Sequence, residues 1–133
     1  METRRNTFRK RERLTWKRDI DALFDKGSRS FAAWPLRAVC RYGSVPGPRA
    51  RVLVSVSKRH FRHAVDRNLV KRRIREAWRL HRSLLTDALP ADSPTLNIAI
   101  IWLSDDLRDY ETTERKMQNL MLRIADAFSM PKS

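Results

Sequence analysis

The stretch from Lys58 to Arg82 constrains this chain more than any other. It holds ten Lys or Arg residues against two acids, Asp66 and Glu76, and so carries +8 of the chain's net charge of +14. From Ala64 onward it contains neither Gly nor Pro, the residues that most strongly oppose a helix interior. At about 100° per residue, Val70, Ile74, Ala77, Trp78, His81 and Leu84 fall on one side of a helix. Asn68, Lys71, Arg72, Arg75, Arg79 and Arg82 fall on the other, inside an arc of about 100°. The pattern predicts a helix that buries one face and presents five cations and an amide on the opposite one.

A merely solvated helix face mixes signs, with Glu spaced to pair with Lys or Arg one turn away. Here Glu76 is the only acid after Asp66 within the stretch, and it can neutralise one or two neighbours. Like charges about 5–6 Å apart repel, and a polyanion relieves that repulsion. Nucleic acid is the polyanion this pattern fits.

A chain of 133 residues supports one domain with a proper core. The pI near 11.3 suits a small protein that lives on RNA or DNA. Charge is unevenly spread: residues 1–18 carry +6, 19–57 carry +3, and 83–133 carry −3. Binding therefore belongs to the first two thirds. The longest apolar run, Ile98 to Leu103, is too short to span a bilayer, and the basic N-terminus lacks the apolar segment of a secretory signal. Cys40 is alone, so neither an internal disulfide nor a Cys-rich zinc site can form. The expectation is a soluble cytoplasmic protein with no membrane partner.

Residues 1–13 are cationic, lack helical or strand period, and read as a flexible basic arm that settles on phosphates. A first helix is predicted from Thr15 as N-cap to Lys26, with Gly27 as the residue after its end. Trp16, Ile20, Leu23 and Phe24 mark its apolar side. Residues 28–35 read as a connector, since Trp34-Pro35 disfavours helix. Leu36 to Tyr42 and Arg51 to Ser57 alternate as strands, joined through a Gly- and Pro-rich loop into an antiparallel hairpin. After the basic helix, which runs to about Leu85, Leu96 to Leu103 is almost wholly apolar and reads as a central strand buried on both faces. Asp109 caps a last helix, from Tyr110 to Phe128, whose core face carries Met117, Leu120, Met121, Ile124 and Phe128. The order αββαβα predicts one α+β domain over residues 1–133, a two-layer sandwich with helices against a small sheet.

Enzyme chemistry finds little support. The three glycines all sit in turn positions, so no phosphate-cradling loop exists. His60, His63 and His81 lack supporting acidic or thiol ligands, and His81 reads as a packed residue. Asp105 and Asp106 are adjacent in an extended segment and point opposite ways. Any catalysis needs reacting groups from elsewhere.

The stretch from Ser57 to Trp78 resembles the bacterial ribonuclease P protein component. The family pattern appears as Arg67-Asn68-Leu69, Lys71-Arg72 and Arg75-Glu76, preceded by Val56-Ser57-Lys58-Arg59. Arg13-Leu14 and the segment Phe24 to Gly27 fall where the family has similar residues. Leu69 departs from the family's Arg. The resemblance implies a protein subunit of a ribonucleoprotein endonuclease that removes the 5′ leader of precursor tRNA. The catalytic RNA with Mg²⁺ would carry the hydrolysis, and the protein would bind no cofactor, supply no catalytic residue and pair 1:1 with the RNA. It further implies a left-handed crossover through the basic helix, where sequence alone favours the right-handed one. Lys58, Arg59, Arg67, Asn68, Lys71, Arg72, Arg75 and Arg79 would contact the catalytic RNA. A groove between the first helix and the sheet would hold the single-stranded leader. Aligned from Gly27, its lining would be Ile20, Phe24, Leu36, Ala38 and Cys40, with Arg51, Leu53 and Ser55. The competing reading is a non-catalytic RNA binder of ribosomal type. A helix-in-groove DNA binder fits less well, because no second helix sits a short turn away to brace the basic one.

Overall fold

The computed structural model describes residues 13–14, 17–25, 27–43 and 47–129. The basic arm up to residue 12, the Thr15 cap, Trp16 and Lys26 lie outside the described residues. The elements run α1 (Lys17–Leu23), β1 (Arg29–Ala33), β2 (Leu36–Tyr42), β3 (Ala50–Ser55), α2 (Ala64–His81), α3 (Ser83–Thr86), β4 (Leu96–Trp102) and α4 (Tyr110–Phe128). The architecture is α+β, as the alternation of patterns predicts. It has one strand more than predicted, and the end of the basic helix is set off as the short α3.

The sheet order is β1-β2-β4-β3. β4 pairs antiparallel with β2, Leu36 opposite Trp102, and parallel with β3, Val52 opposite Ile98. The predicted hairpin between Leu36–Tyr42 and Arg51–Ser57 is therefore wrong: the two strands flank β4 and do not touch. The cause is visible in β4 itself. Its side chains are buried almost end to end, and only a central strand covers both faces of such a run. The parallel β3–β4 pair needs a crossover, which α2 supplies. The predicted connector over 28–35 contains β1, which pairs with β2 from Arg29↔Cys40 to Ala33↔Leu36 around a tight Trp34–Pro35 turn. As a half-exposed edge strand, β1 has no clean alternation to betray it.

The two faces of the sheet have different covers. Leu36, Ala38 and Cys40 of β2, Val52 and Val54 of β3, and Leu96, Ile98, Ile100 and Trp102 of β4 meet α2 and α4 in the main core. α2 contributes Val70, Ile74, Ala77 and Trp78, the predicted face at i, i+4, i+7 and i+8. α4 contributes Met117, Leu120, Met121 and Ile124. Its N-terminus is capped as predicted, Thr112 N–H donating to Asp109 Oδ1 at 2.9 Å. The opposite face carries a smaller cluster, in which Leu23 and Ile20 of α1 and Leu14 cover Val39, Ala99, Leu53 and Ile101. The main sandwich is thus two-layered, with α1 laid across part of the sheet's other side.

Helix α1 ends at Leu23, so Gly27 is not its C′ residue. A Cβ at Gly27 would come within 3.1 Å of the Arg41 guanidinium, which itself donates to Ala22 O at 3.1 Å. The glycine leaves room for the arginine that ties α1 to β2.

Candidate nucleic-acid interface

On α2, the strip opposite the buried face faces out as its period requires. Asn68 and Arg72 are exposed, and Lys71, Arg75 and Arg79 are partly so. Arg13, Asn68, Arg72, Arg75, Glu76 and Arg79 line one concave surface of about 400 Å³. Arg13 enters from a different part of the chain. It bridges to Val52, and the following Leu14 N–H donates to Val52 O at 3.0 Å, which adds a short strand-like segment to the edge of β3. Sequence reasoning placed Arg13 in the flexible arm and missed it as a member of this site. The buried neighbour Leu14, which staples the chain to the sheet, was the available signal.

The electrostatics favour an anion here. The Arg75 guanidinium is pushed below its ordinary pKa, first by burial and then by the Arg13 charge. An anion in the concavity offsets that repulsion. Among the described residues, Glu76 is the one acid lining it. Arg79 donates to Glu76 through Nη2 at 2.5 Å and Nε at 3.0 Å. That pairing lowers the Glu76 pKa and raises that of Arg79. Arg79 therefore meets the concavity as half of an ion pair, whereas Arg72 and Arg75 do not share that carboxylate.

Two further cations on the helix are turned to structural use. Arg67 Nη1 donates to Phe61 O at 2.8 Å and Arg62 O at 3.0 Å, which fastens the loop ahead of α2. The motif assigns Arg67 an RNA contact, but its guanidinium sits beside the strip on backbone carbonyls. Its wheel position, nearer the apolar side, is the reason. Arg73 Nη1 donates to Leu107 O at 3.4 Å and to Arg108 O, locking α2 to the entry of α4. Lys58 and Arg59 are exposed in the turn past β3. His60 Nδ1 meets Asp105 Oδ1 at 2.7 Å, joining that turn to the loop after β4. His81, read as packed, is half-buried with Nε2 at 2.7 Å from Glu114 Oε2.

The groove residues divide between the two faces of the sheet. Ile20 and Leu53 are half-buried beneath and beside α1, Phe24 follows Ile20 by one turn and is 58% exposed, and Arg51 and Ser55 share the Leu53 face. Leu36, Ala38 and Cys40 do not line this groove. They are fully buried on the α2–α4 side, where burial pushes the Cys40 thiol up to about 12. The residues of β2 that face α1 are Arg37, Val39 and Arg41. Because side chains alternate at every residue, an alignment slip of one moves a whole strand's side chains to the other face. The alternation of Leu36, Ala38 and Cys40 against Arg37 and Arg41 separates the two rows, but it does not say which cover each row meets. Among the described residues, no helix is long and apolar enough to cross a membrane.

Comparison with known proteins agrees with the fold. Residues 8–125 match the family model described as Ribonuclease P. The chain is 44% identical over 117 residues to the ribonuclease P protein component of Porphyromonas gingivalis strain ATCC 33277, covering 87% of this chain and 85% of that protein. It is 36% identical over 98 residues to the one from Chlorobaculum tepidum, covering 69% of this chain and 62% of that protein. Among solved structures, the RNase P protein from Thermotoga maritima superposes with a TM-score of 0.67 at 25% identity, over 86% of this chain and 98% of that one. The Staphylococcus aureus RNase P protein superposes at 0.66 and 22% identity, over 89% of this chain and 98% of that one. The chain belongs to the ribonuclease P protein family.

Proposed function

We propose that this protein is the RNA-docking and substrate-holding subunit of ribonuclease P, working in the cytoplasm as one protein per catalytic RNA. The concavity where Arg13 meets Asn68, Arg72 and Arg75 of α2 carries the reading: among the described residues, cations from two chain segments converge there around one carboxylate. In this reading the catalytic RNA lies along α2 and the Lys58-Arg59 turn. The single-stranded 5′ leader of precursor tRNA lies on the α1 face, over Ile20, Phe24 and Leu53. Mg²⁺ and the hydrolytic chemistry belong to the RNA, and the protein positions the substrate and screens phosphate charge.

Each neutralised phosphate releases counterions, so assembly falls steeply with salt, and losing one contact flattens the slope by about one unit. Arg72→Ala and Arg75→Ala are expected to weaken assembly more at ~50 mM than at ~200 mM monovalent salt. Unchanged assembly at both removes α2 from the interface. The decisive experiment mixes the protein with its host's catalytic RNA and labelled precursor tRNA at low Mg²⁺. Stimulated 5′ cleavage supports the proposal, whereas tight ribosomal RNA binding without stimulation supports a structural RNA binder instead.

A further inference from the structure

Two aromatic side chains among the described residues stand more than half exposed: Phe24 at 58% and Trp34 at 53%. Phe24 belongs to the groove above. Trp34 is at the tip of the β1–β2 hairpin, and the backbone around it is held firmly. Leu103 N–H donates to Pro35 O at 2.8 Å, Arg123 Nη1 to Ala32 O at 2.6 Å, and Arg37 Nε to Ser30 Oγ at 2.9 Å. Pro35 is buried. The indole is therefore an open apolar plate on a rigid mount.

A continuous band of sheet leads to it. Ala32, Arg37, Ile101 and Ser55 lie side by side across β1, β2, β4 and β3. They share the face that α1 covers one row further along, at Val39, Ala99 and Leu53. This row is more open: Ala32, Arg37 and Ser55 are exposed, and Ile101, which packs against the α1 cluster, is partly so. Three strand spacings make it about 14 Å long. Its β3 end is Ser55, close in sequence to the exposed cations Lys58 and Arg59, and its other end is the hairpin that carries Trp34. No residue of the row is acidic, and Asp105, in the loop past β4, is engaged by His60. A floor of one cation, one hydroxyl and two aliphatic groups, with exposed cations beyond one end and the hairpin that carries the exposed Trp34 at the other, fits a single strand of nucleic acid with stacked bases.

We infer that Trp34 is a stacking platform for a base of the RNA leader beyond those held beside α1, so that it sets how much leader the protein reads. This rests on the leader-groove reading proposed above. The test uses the full chain and single-stranded RNA oligonucleotides lengthened one nucleotide at a time. Binding is followed by anisotropy and by tryptophan emission. Trp34→Ala is expected to bind short oligonucleotides as the parent does and the longer ones about tenfold more weakly. Trp34→Phe, which keeps a ring, restores most of the loss. The part of the parent's emission that Trp34→Phe lacks should be quenched only above the length at which Trp34→Ala begins to fail, and the described Trp78 and Trp102 are buried. Phe24→Ala should weaken binding at every length. If Phe24→Ala acts while Trp34→Ala matches the parent throughout, the platform is wrong and the groove stands. If neither variant changes binding, the groove reading fails too.

Discussion

Strand β2 belongs to two environments at once. Leu36, Ala38 and Cys40 point into the main core and are fully buried, while Arg37 and Arg41, on the other side, reach backward to Ser30 and to the end of α1. The two rows come from one run of seven residues, yet one packs into the main core while the other holds α1 through Val39 and Arg41 and is proposed to meet RNA at Arg37. Helix α2 divides the same way, Val70, Ile74 and Trp78 inside against Asn68, Arg72 and Arg75 outside. In both elements a substitution should act on stability or on binding according to the face it touches.

The largest contrast lies between neighbours in β2. Ala38→Arg places an unpaired charge in a filled core at a cost of several kcal/mol, and the chain should unfold by circular dichroism. Arg37→Ala should change denaturant stability by no more than about 0.5 kcal/mol, with its loss appearing in leader binding. On α2, Ile74→Ala should cost about 2–5 kcal/mol in a urea melt. Arg72→Ala should stay within about 0.5 kcal/mol of the parent while RNA assembly weakens. A melt in which Arg72→Ala is as unstable as Ile74→Ala ends the two-face description.

The Cys40 thiol gives a chemical readout of the same division. Buried and held near 12, it should resist alkylation at neutral pH until the chain is unfolded. Rapid labelling of the native protein would mean that the Cys40 row faces the groove after all.

The smallest effect is at the α4 cap. Hydrogen bonds from Thr112, side chain first and then backbone, hold the Asp109 carboxyl below its usual range. A depressed carboxylate stabilises the fold above its unfolded-state pKa and loses that contribution as pH falls through the folded value. The first turn of α4 should therefore loosen in acid, seen as faster amide exchange at Thr112, and Asp109→Asn should remove that pH dependence.

Much of this was legible in the residues. The helical period over 64–81 correctly assigned Val70, Ile74, Ala77 and Trp78 to the core, because a regular helix fixes which residues share a side whatever surrounds it. The unbroken apolar run of β4 announced a central strand. Three features were not legible, and each depends on a partner distant in sequence. β2 and β3 look like a hairpin until β4 is inserted between them. Leu36, Ala38 and Cys40 alternate correctly, but alternation cannot say which of two apolar covers a face meets. Arg13 reads as arm until its neighbour Leu14 bonds to Val52.

The residues alone determined that one helix carries a one-sided cationic strip and that its far side is core, since charge and period are local properties of a helix. Only the tertiary structure decided which side of β2 looks outward and which second segment joins the strip. Those outcomes follow from burying β4 on both faces, a requirement met by pairing distant strands and covering the sheet with α1 on one side and α2 with α4 on the other.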